Sequence, residues 1–313
     1  MTDTAFTSLI HVEALRAQLA APKPPLVIDV RFDLANTALG EEQYTKAHIP
    51  GAHYLHLDRD LSGPRQVGDV FHGRHPLPDR EAFAALLRRL GLRTGQQVVA
   101  YDGGDGMYAA RVWWMLRWLG HDRVAVLDGG WAAWLAANGT TTDVCPEVGS
   151  EARTKAGAKA ATENIPQTDP AAPLPAPGDF TPGPSLEQPW SKQELLAGLG
   201  RVRLVDARAG ERFRGEVEPL DRQAGHIPGA SHRFFKSNLD GNGRFKPAEL
   251  LKAEFQQVLG GFSAQDTVHQ CGSGVTACHN LLAMHHAGLT GSRLYPGSWS
   301  EWSADPRLPL ARG

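Results

Sequence analysis

The chain has 313 residues, 42% of them hydrophobic and 21% charged, which excludes a disordered, collagenous or coiled-coil protein and suffices for one large or two ordinary domains. With 32 Lys and Arg against 34 Asp and Glu, no global basic field exists to condense on nucleic acid or an anionic bilayer. Arginines interrupt the most apolar stretch, Arg111 to Leu119, and nothing approaches the ~18 unbroken apolar residues of a membrane span. The opening residues lack a basic and an apolar signal region, and three cysteines cannot all pair within one chain. A reduced, cytoplasmic protein without nucleic-acid or membrane partners is expected.

In chain order, Leu26-Val-Ile-Asp-Val30 reads as a buried strand, and Asp79 to Leu90 as a helix with Phe83, Leu86, Leu87 and Leu90 on one face. Gln97-Val-Val-Ala-Tyr101 is a second strand, and Gly106 to Leu119 a second helix. Thr141 to about Gln188 is dense in Ala, Thr and Pro, with Pro170, Pro175 and Pro177 close together, and reads as a linker, part of it disordered or draped over a domain. Beyond it come a strand over Val202-Arg-Leu-Val-Asp206, a helix over Pro247 to Leu259, a strand over Asp266-Thr-Val-His-Gln270 and a helix over Val275 to His286. Strand and helix alternate throughout, which predicts α/β domains with largely parallel sheets and ligands at the strands' carboxyl ends.

The two sides of the linker repeat one another. Asp29-Val-Arg31 precedes Ala47-His-Ile-Pro-Gly-Ala52, as Asp206-Ala-Arg208 precedes Gly225-His-Ile-Pro-Gly-Ala230. Trp131 and Trp134 then answer to Trp299 and Trp302. The expected division is a domain over 5–140, a linker over 141–188 and a domain over 189–313. His48 and His226 recur at equivalent places and read as scaffold, and the tryptophan pairs read as core.

One loop carries chemistry. The strand ending at Gln270 runs into Cys271-Gly-Ser-Gly-Val-Thr276, and a helix begins as the loop closes. Converging backbone N–H groups and the positive end of a helix favour thiolate, so Cys271 is the candidate nucleophile. Gly272 and Gly274 let the loop wrap an anion held on that sulfur. The same position in the first half is Asp102, which cannot act as a sulfur nucleophile, so one half is expected to be active and the other structural. A site at their interface follows.

On the paired His-Ile-Pro-Gly-Ala segments, the paired Trp-x-x-Trp segments and Cys271-Gly-Ser-Gly-Val-Thr-Ala277, the chain resembles the tandem rhodanese family of sulfurtransferases. The resemblance covers all but the linker and implies two tandem rhodanese-like domains, each a mainly parallel sheet flanked by helices. The loop is similar to that of the 3-mercaptopyruvate sulfurtransferases, whereas thiosulfate-preferring members place Arg and Lys directly after the cysteine. Thiosulfate is a compact dianion that wants cations beside the attacked sulfur, and Gly272 and Ser273 supply none. The resemblance further implies that Ser273, His75 and Asp58 form a relay, that Arg212 grips the donor's carboxylate with Arg222, or Arg214 in its place, and that Gly272, Gly274, Val275 and Thr276 line the donor site. A Cys271 persulfide would pass sulfur from a small-molecule donor to a thiol, thioredoxin or cyanide, with no metal or organic cofactor.

Other readings compete. Arg212 could be an ion-pair partner of Glu216 at i, i+4. A cysteine phosphatase needs an arginine six positions after its nucleophile, where this chain has Ala277. Cys271, Cys278, His279, His285 and His286 lie close together, but their spacing is not a usual zinc pattern. Thiosulfate:cyanide sulfurtransferase, a partner-fed sulfur carrier and a non-catalytic binding module are the alternative functions.

Overall fold

The structure, a computed structural model, describes residues 5–146 and 177–313. The first half contains strands β1 (Leu9–Ile10), β2 (Leu26–Asp29), β3 (His53–Tyr54), β4 (Gln66–Val67), β5 (Val70–Phe71), β6 (Val98–Tyr101) and β7 (Val124–Leu127). Helices α1 (Val12–Leu19), α2 (Leu39–Lys46), α3 (Arg80–Arg89), α4 (Ala109–Trp118) and α5 (Gly130–Ala136) lie between and after them. The second half contains α6 (Lys192–Gly198), β8 (Arg203–Asp206), α7 (Gly210–Arg214), β9 (Ser231–His232), α8 (Ala248–Leu259), β10 (Thr267–Gln270), α9 (Thr276–His286), β11 (Arg293–Leu294) and α10 (Ser298–Trp302).

Two parallel sheets result, in the orders β1-β7-β6-β2-β3 and β11-β10-β8-β9, and β4 and β5 form a separate antiparallel hairpin. The orders superpose if β1 is set aside, and even β1 has a trace in the second half, where Pro189 bridges in parallel to Leu294. Every residue of β2, β6, β7 and β10 is buried, as strands covered on both faces require.

The repeated motifs build repeated joints. Arg31 and Arg208 each hydrogen-bond to the aspartate two residues earlier, Asp29 and Asp206, and to a carbonyl just before the His-Ile-Pro-Gly-Ala turn, Ala47 or Gly225. A tryptophan covers each guanidinium, Trp131 at 4.6 Å and Trp299 at 4.7 Å. The turn histidines bond backbone carbonyls through Nδ1, His48 to Tyr44 at 2.7 Å and His226 to Phe213 at 2.8 Å, and stack on those same rings. They are scaffold in both halves.

Helices α4 and α9, which follow the equivalent loops after β6 and β10, pack on each other and bring the two halves together. Residues Ala109 to Leu116 and Ala277 to Met284 are buried without a break, as helices covered on all sides must be. α4 starts later than the apolar pattern predicts, since Gly106 has φ +76°, outside the helical range, and the Asp102 carboxylate takes the N–H groups of Tyr108 and Ala109 at the helix start.

Most of the expected 141–188 linker lies outside the described residues. Its end, over 177–187, is bound to the first half, and Gln188 accepts the Leu294 N–H of the second. Gly178, Phe180, Gly183 and Leu186 donate N–H bonds to the carbonyls of Arg88, Leu92, Leu119 and Arg117, and Glu187 pairs with Arg117 at 2.7 Å. Phe180 is 3% exposed and meets His121 edge-on. Phe180→Ala is expected to lower the unfolding free energy by about 3 kcal/mol, measured by urea denaturation. An unchanged stability would remove this segment from the first half's core.

Candidate active site

Cys271 stands at the carboxyl end of β10, in the middle of its sheet, and is 1% exposed. The turn before α10 and its first residues fasten the loop from outside. Ser298 Oγ accepts the Cys271 N–H at 3.2 Å, Trp299 N donates to the Cys271 carbonyl at 3.0 Å, and Ser300 N donates to that of Gly272 at 2.9 Å. Gly274 has φ +78°, and a Cβ there would lie 2.4 Å from the Pro296 carbonyl oxygen, so only glycine fits. Its N–H donates to Cys271 Sγ at 3.2 Å. Among the described residues, the N–H groups of Gly272, Ser273 and Val275 meet no protein acceptor.

The first half shows how such a loop holds an anion. Asp102 Oδ1 accepts from the N–H groups of Gly104 and Gly106, both at 3.0 Å, and Oδ2 from Tyr108 at 2.9 Å and Ala109 at 3.2 Å. Burial, with Asp105 nearby, pushes this carboxyl above the usual carboxylate range, while the N–H groups of Gly104, Tyr108 and Ala109 pull it back down. Its own side chain occupies the cradle.

A chain of three side chains runs from the cysteine loop into the first half. Ser273 Oγ lies 2.8 Å from His75 Nδ1, and His75 Nε2 lies 3.2 Å from Asp58 Oδ1. The hydrogen bond to His75, with help from Arg65 at 2.9 Å, holds Asp58 down at about 2. Burial moves His75 below the usual histidine range, against the pull of Asp58. A neutral His75 with its proton on Nε2, donating to Asp58, leaves Nδ1 to accept the Ser273 hydroxyl proton.

Arg111 joins these parts. It projects from α4, is fully buried, and donates from Nη1 to the Gly274 carbonyl at 3.0 Å and from Nη2 to the carbonyls of His75 at 3.0 Å, Leu61 at 3.2 Å and Pro76 at 3.3 Å. Cys278 donates its S–H to the same Gly274 carbonyl at 3.3 Å, and burial pushes its thiol up to about 12, as befits a structural cysteine.

Between the halves lies a cavity of about 210 Å³. Cys271, Gly272, Ser273, Val275 and Thr276 form its floor, with Arg74, His75, Met107 and Tyr108 from the first half opposite Arg208, Arg212 and Phe235 from the second. Gly274 stands behind this surface and contributes through its N–H.

The expected carboxylate ligands divide. Arg212 lines the cavity and pairs with Glu218 at 2.6 Å and Asp221 at 3.1 Å, so its partner is not Glu216, which bonds Arg214 instead. Arg214 is consumed on the surface by that pair. Arg222 is exposed and away from the cavity, because the preceding residue, Asp221, is the one turned inward. Arg74, which the sequence reading did not single out, lines the cavity beside Arg212. Its sequence signal, adjacency to His75, was present, and so was that of Arg111, a charge inside an otherwise apolar helix.

Comparison with known proteins agrees with this architecture. A profile described as "Rhodanese-like domain" matches residues 11–137 and 191–305. A Pseudomonas aeruginosa protein named "Probable 3-mercaptopyruvate sulfurtransferase" is 45% identical over 97% of this chain and 98% of its own. The "Thiosulfate/3-mercaptopyruvate sulfurtransferase 2" of Arabidopsis thaliana is 38% identical over 86% of this chain and 76% of its own. Among solved structures, the 3-mercaptopyruvate sulfurtransferase from Leishmania major superposes with a TM-score of 0.76 and 28% identity, covering 97% of this chain and 76% of that one. With two matching segments that span most of its length and a cysteine loop at the carboxyl end of the second sheet, this chain belongs to the rhodanese family.

Proposed function

We propose that this sulfurtransferase moves sulfur from 3-mercaptopyruvate to a thiophilic acceptor through a persulfide on Cys271. The observation that carries the reading is the contrast between the two loops. The backbone cradle that Asp102 fills with its own carboxylate is present again around Cys271, with amides left over for an anion that arrives by reaction. The names of the relatives supply the donor class.

The Cys271 thiolate attacks the donor's sulfur, forming an S–S bond, while the C–S bond breaks and its electron pair passes to the methylene carbon. Pyruvate departs as its enolate, stabilised through the adjacent carbonyl. The donor's thiol proton is the one that ends on the pyruvate methyl group, and Ser273 with His75 can hold it in transit, His75 being oriented by Asp58. The remaining Cys–S–S⁻ is received by the loop amides. An acceptor thiolate, of a small thiol or thioredoxin, or cyanide, then takes the outer sulfur and Cys271 leaves as thiolate. Chemistry that depends on a free thiol belongs in a reducing compartment, which supports a cytoplasmic site of action.

A second donor has specific support. Gly272 brings no cation, but a Cβ built on it would lie 2.8 Å from Arg74 Nη2 and 3.4 Å from Arg212 Nη1. Two guanidinium groups thus reach the space beside Cys271 from other segments, as the sulfonate of thiosulfate requires. The neutral loop does not by itself exclude that substrate.

Two measurements test this. Intact-mass spectrometry after incubation with 3-mercaptopyruvate should show one added sulfur that maps to Cys271, and Cys271→Ser should show none. Sulfur retained by the variant would end the assignment. Pyruvate release should stay level as pH falls through about 6.5, the ordinary histidine value, and decline only at lower pH, because protonation of the burial-depressed His75 removes its acceptor site. His75→Asn should lower kcat on the order of 100-fold and abolish that acid limb; an unaltered limb would assign it to another group.

A further inference from the structure

The anion-binding wall of the cavity is shared between the halves in an unusual way. Arg74 comes from the first half, where Gly73, with φ +96°, packs so closely on the second half that a Cβ would lie 2.8 Å from the Gly297 carbonyl oxygen. The Arg74 N–H donates to Ser300 Oγ at 3.1 Å, so the segment is fixed to the same turn that fastens the cysteine loop. Arg212 comes from α7 of the second half. One carboxylate lies behind both: Asp221 accepts from Arg74 Nη1 through Oδ1 and from Arg212 Nη2 through Oδ2, the latter at 3.1 Å.

The donors left over converge. Arg74 uses only Nη1, and its Nε is buried with no acceptor among the described residues. Arg212 uses Nε and Nη2, on Glu218 and Asp221. The amino ends without a protein acceptor among the described residues are therefore Arg74 Nη2 and Arg212 Nη1, the same two that come nearest to Gly272. The side chain of Asp221 is 4% exposed, whereas those of Arg74 and Arg212 are 19% and 16% exposed, so the cations face the cavity and their counter-ion lies behind them.

We propose that Arg74 is the second ligand of the donor's carboxylate, acting with Arg212 from the opposite half, and that Asp221 is a positioning residue that aims both guanidinium groups. This rests on the reading of Cys271 as the sulfur-carrying nucleophile. A donor held in this way touches both halves at once, and specificity for an anionic donor depends on their juxtaposition.

The test uses steady-state kinetics on 3-mercaptopyruvate, together with calorimetric binding of pyruvate, which bears the same carboxylate, to full-length Cys271→Ser protein. Arg74→Met should raise KM about tenfold or more while kcat changes less than threefold, and should weaken pyruvate binding by a similar factor in the Cys271→Ser background. Arg74→Lys should recover part of the loss. Asp221→Asn should raise KM with kcat retained, Asp221→Glu should lie between it and the parent, and Arg222→Ala should match the parent. Should Arg74→Met not fold, Arg74→Gln serves the same comparison. A KM and pyruvate affinity within twofold of the parent in the Arg74 variants, or a rise confined to Arg222→Ala, would overturn the proposal. Absence of added sulfur on Cys271 in the parent would defeat the underlying reading instead, and pyruvate binding would still report on Arg74.

Discussion

A guanidinium group bonded only to carbonyl oxygens sits at the centre of this molecule. Arg111 is fully buried, and burying a cation without a carboxylate is costly unless every donor finds a partner. Its terminal nitrogens find four, on Leu61, His75, Pro76 and Gly274, while Nε alone has no acceptor among the described residues. These four belong to a first-half turn, the histidine segment and the cysteine loop, which no local sequence rule would bring together. Removing the arginine would strand several buried carbonyls as well as loosen the loop, so the cost is expressed at the site and in the fold together. The apolar contact between α4 and α9 is what allows that charge to be held there.

Duplication explains the rest of the layout. The Asp-x-Arg pair, the histidine turn and the covering tryptophan recur with the same partners in both halves because each solves a mechanical problem, the attachment of a loop to the end of a central strand. What diverged are the groups that face the seam. The first half carries Asp102 at the position equivalent to Cys271 and places His75, Asp58, Arg74 and Arg111 at the seam with the second. In the proposed mechanism catalytic work is divided between the halves, whereas the structural joints are repeated in each.

Much of this was legible in the amino-acid sequence. The strand and helix alternation follows from hydrophobic spacing, the repeat from motif order, and Cys271 from a glycine-flanked loop between strand and helix. Ser273, His75 and Asp58 follow from resemblance, and the structure brings them into a continuous chain. The arginines were harder. Arg222 and Asp221 are neighbours, and which of them turns inward depends on Arg74 arriving from a segment remote in the chain. Ion pairs of that kind have no local periodicity, so spacing alone does not tell which residue faces the cavity. The linker's end was expected to be either disordered or draped over a domain, and its Pro-rich composition could not decide between them; one anchoring aromatic, Phe180, and a ladder of backbone bonds drape it over the first half.

The carboxylate of Asp102 makes the first loop a receptor that carries its own ligand on a one-carbon tether. Its occupancy is independent of concentration, whereas mass action stabilises a receptor only while a free or transferred ligand is present. Of the two facing helices, α4 therefore starts from a loop filled by its own side chain, and α9 from one whose occupant, in the proposed reaction, alternates between thiolate and persulfide. The idle half supplies a constant reference surface, and any expansion or tightening that accompanies sulfur loading has to be absorbed by the second half alone.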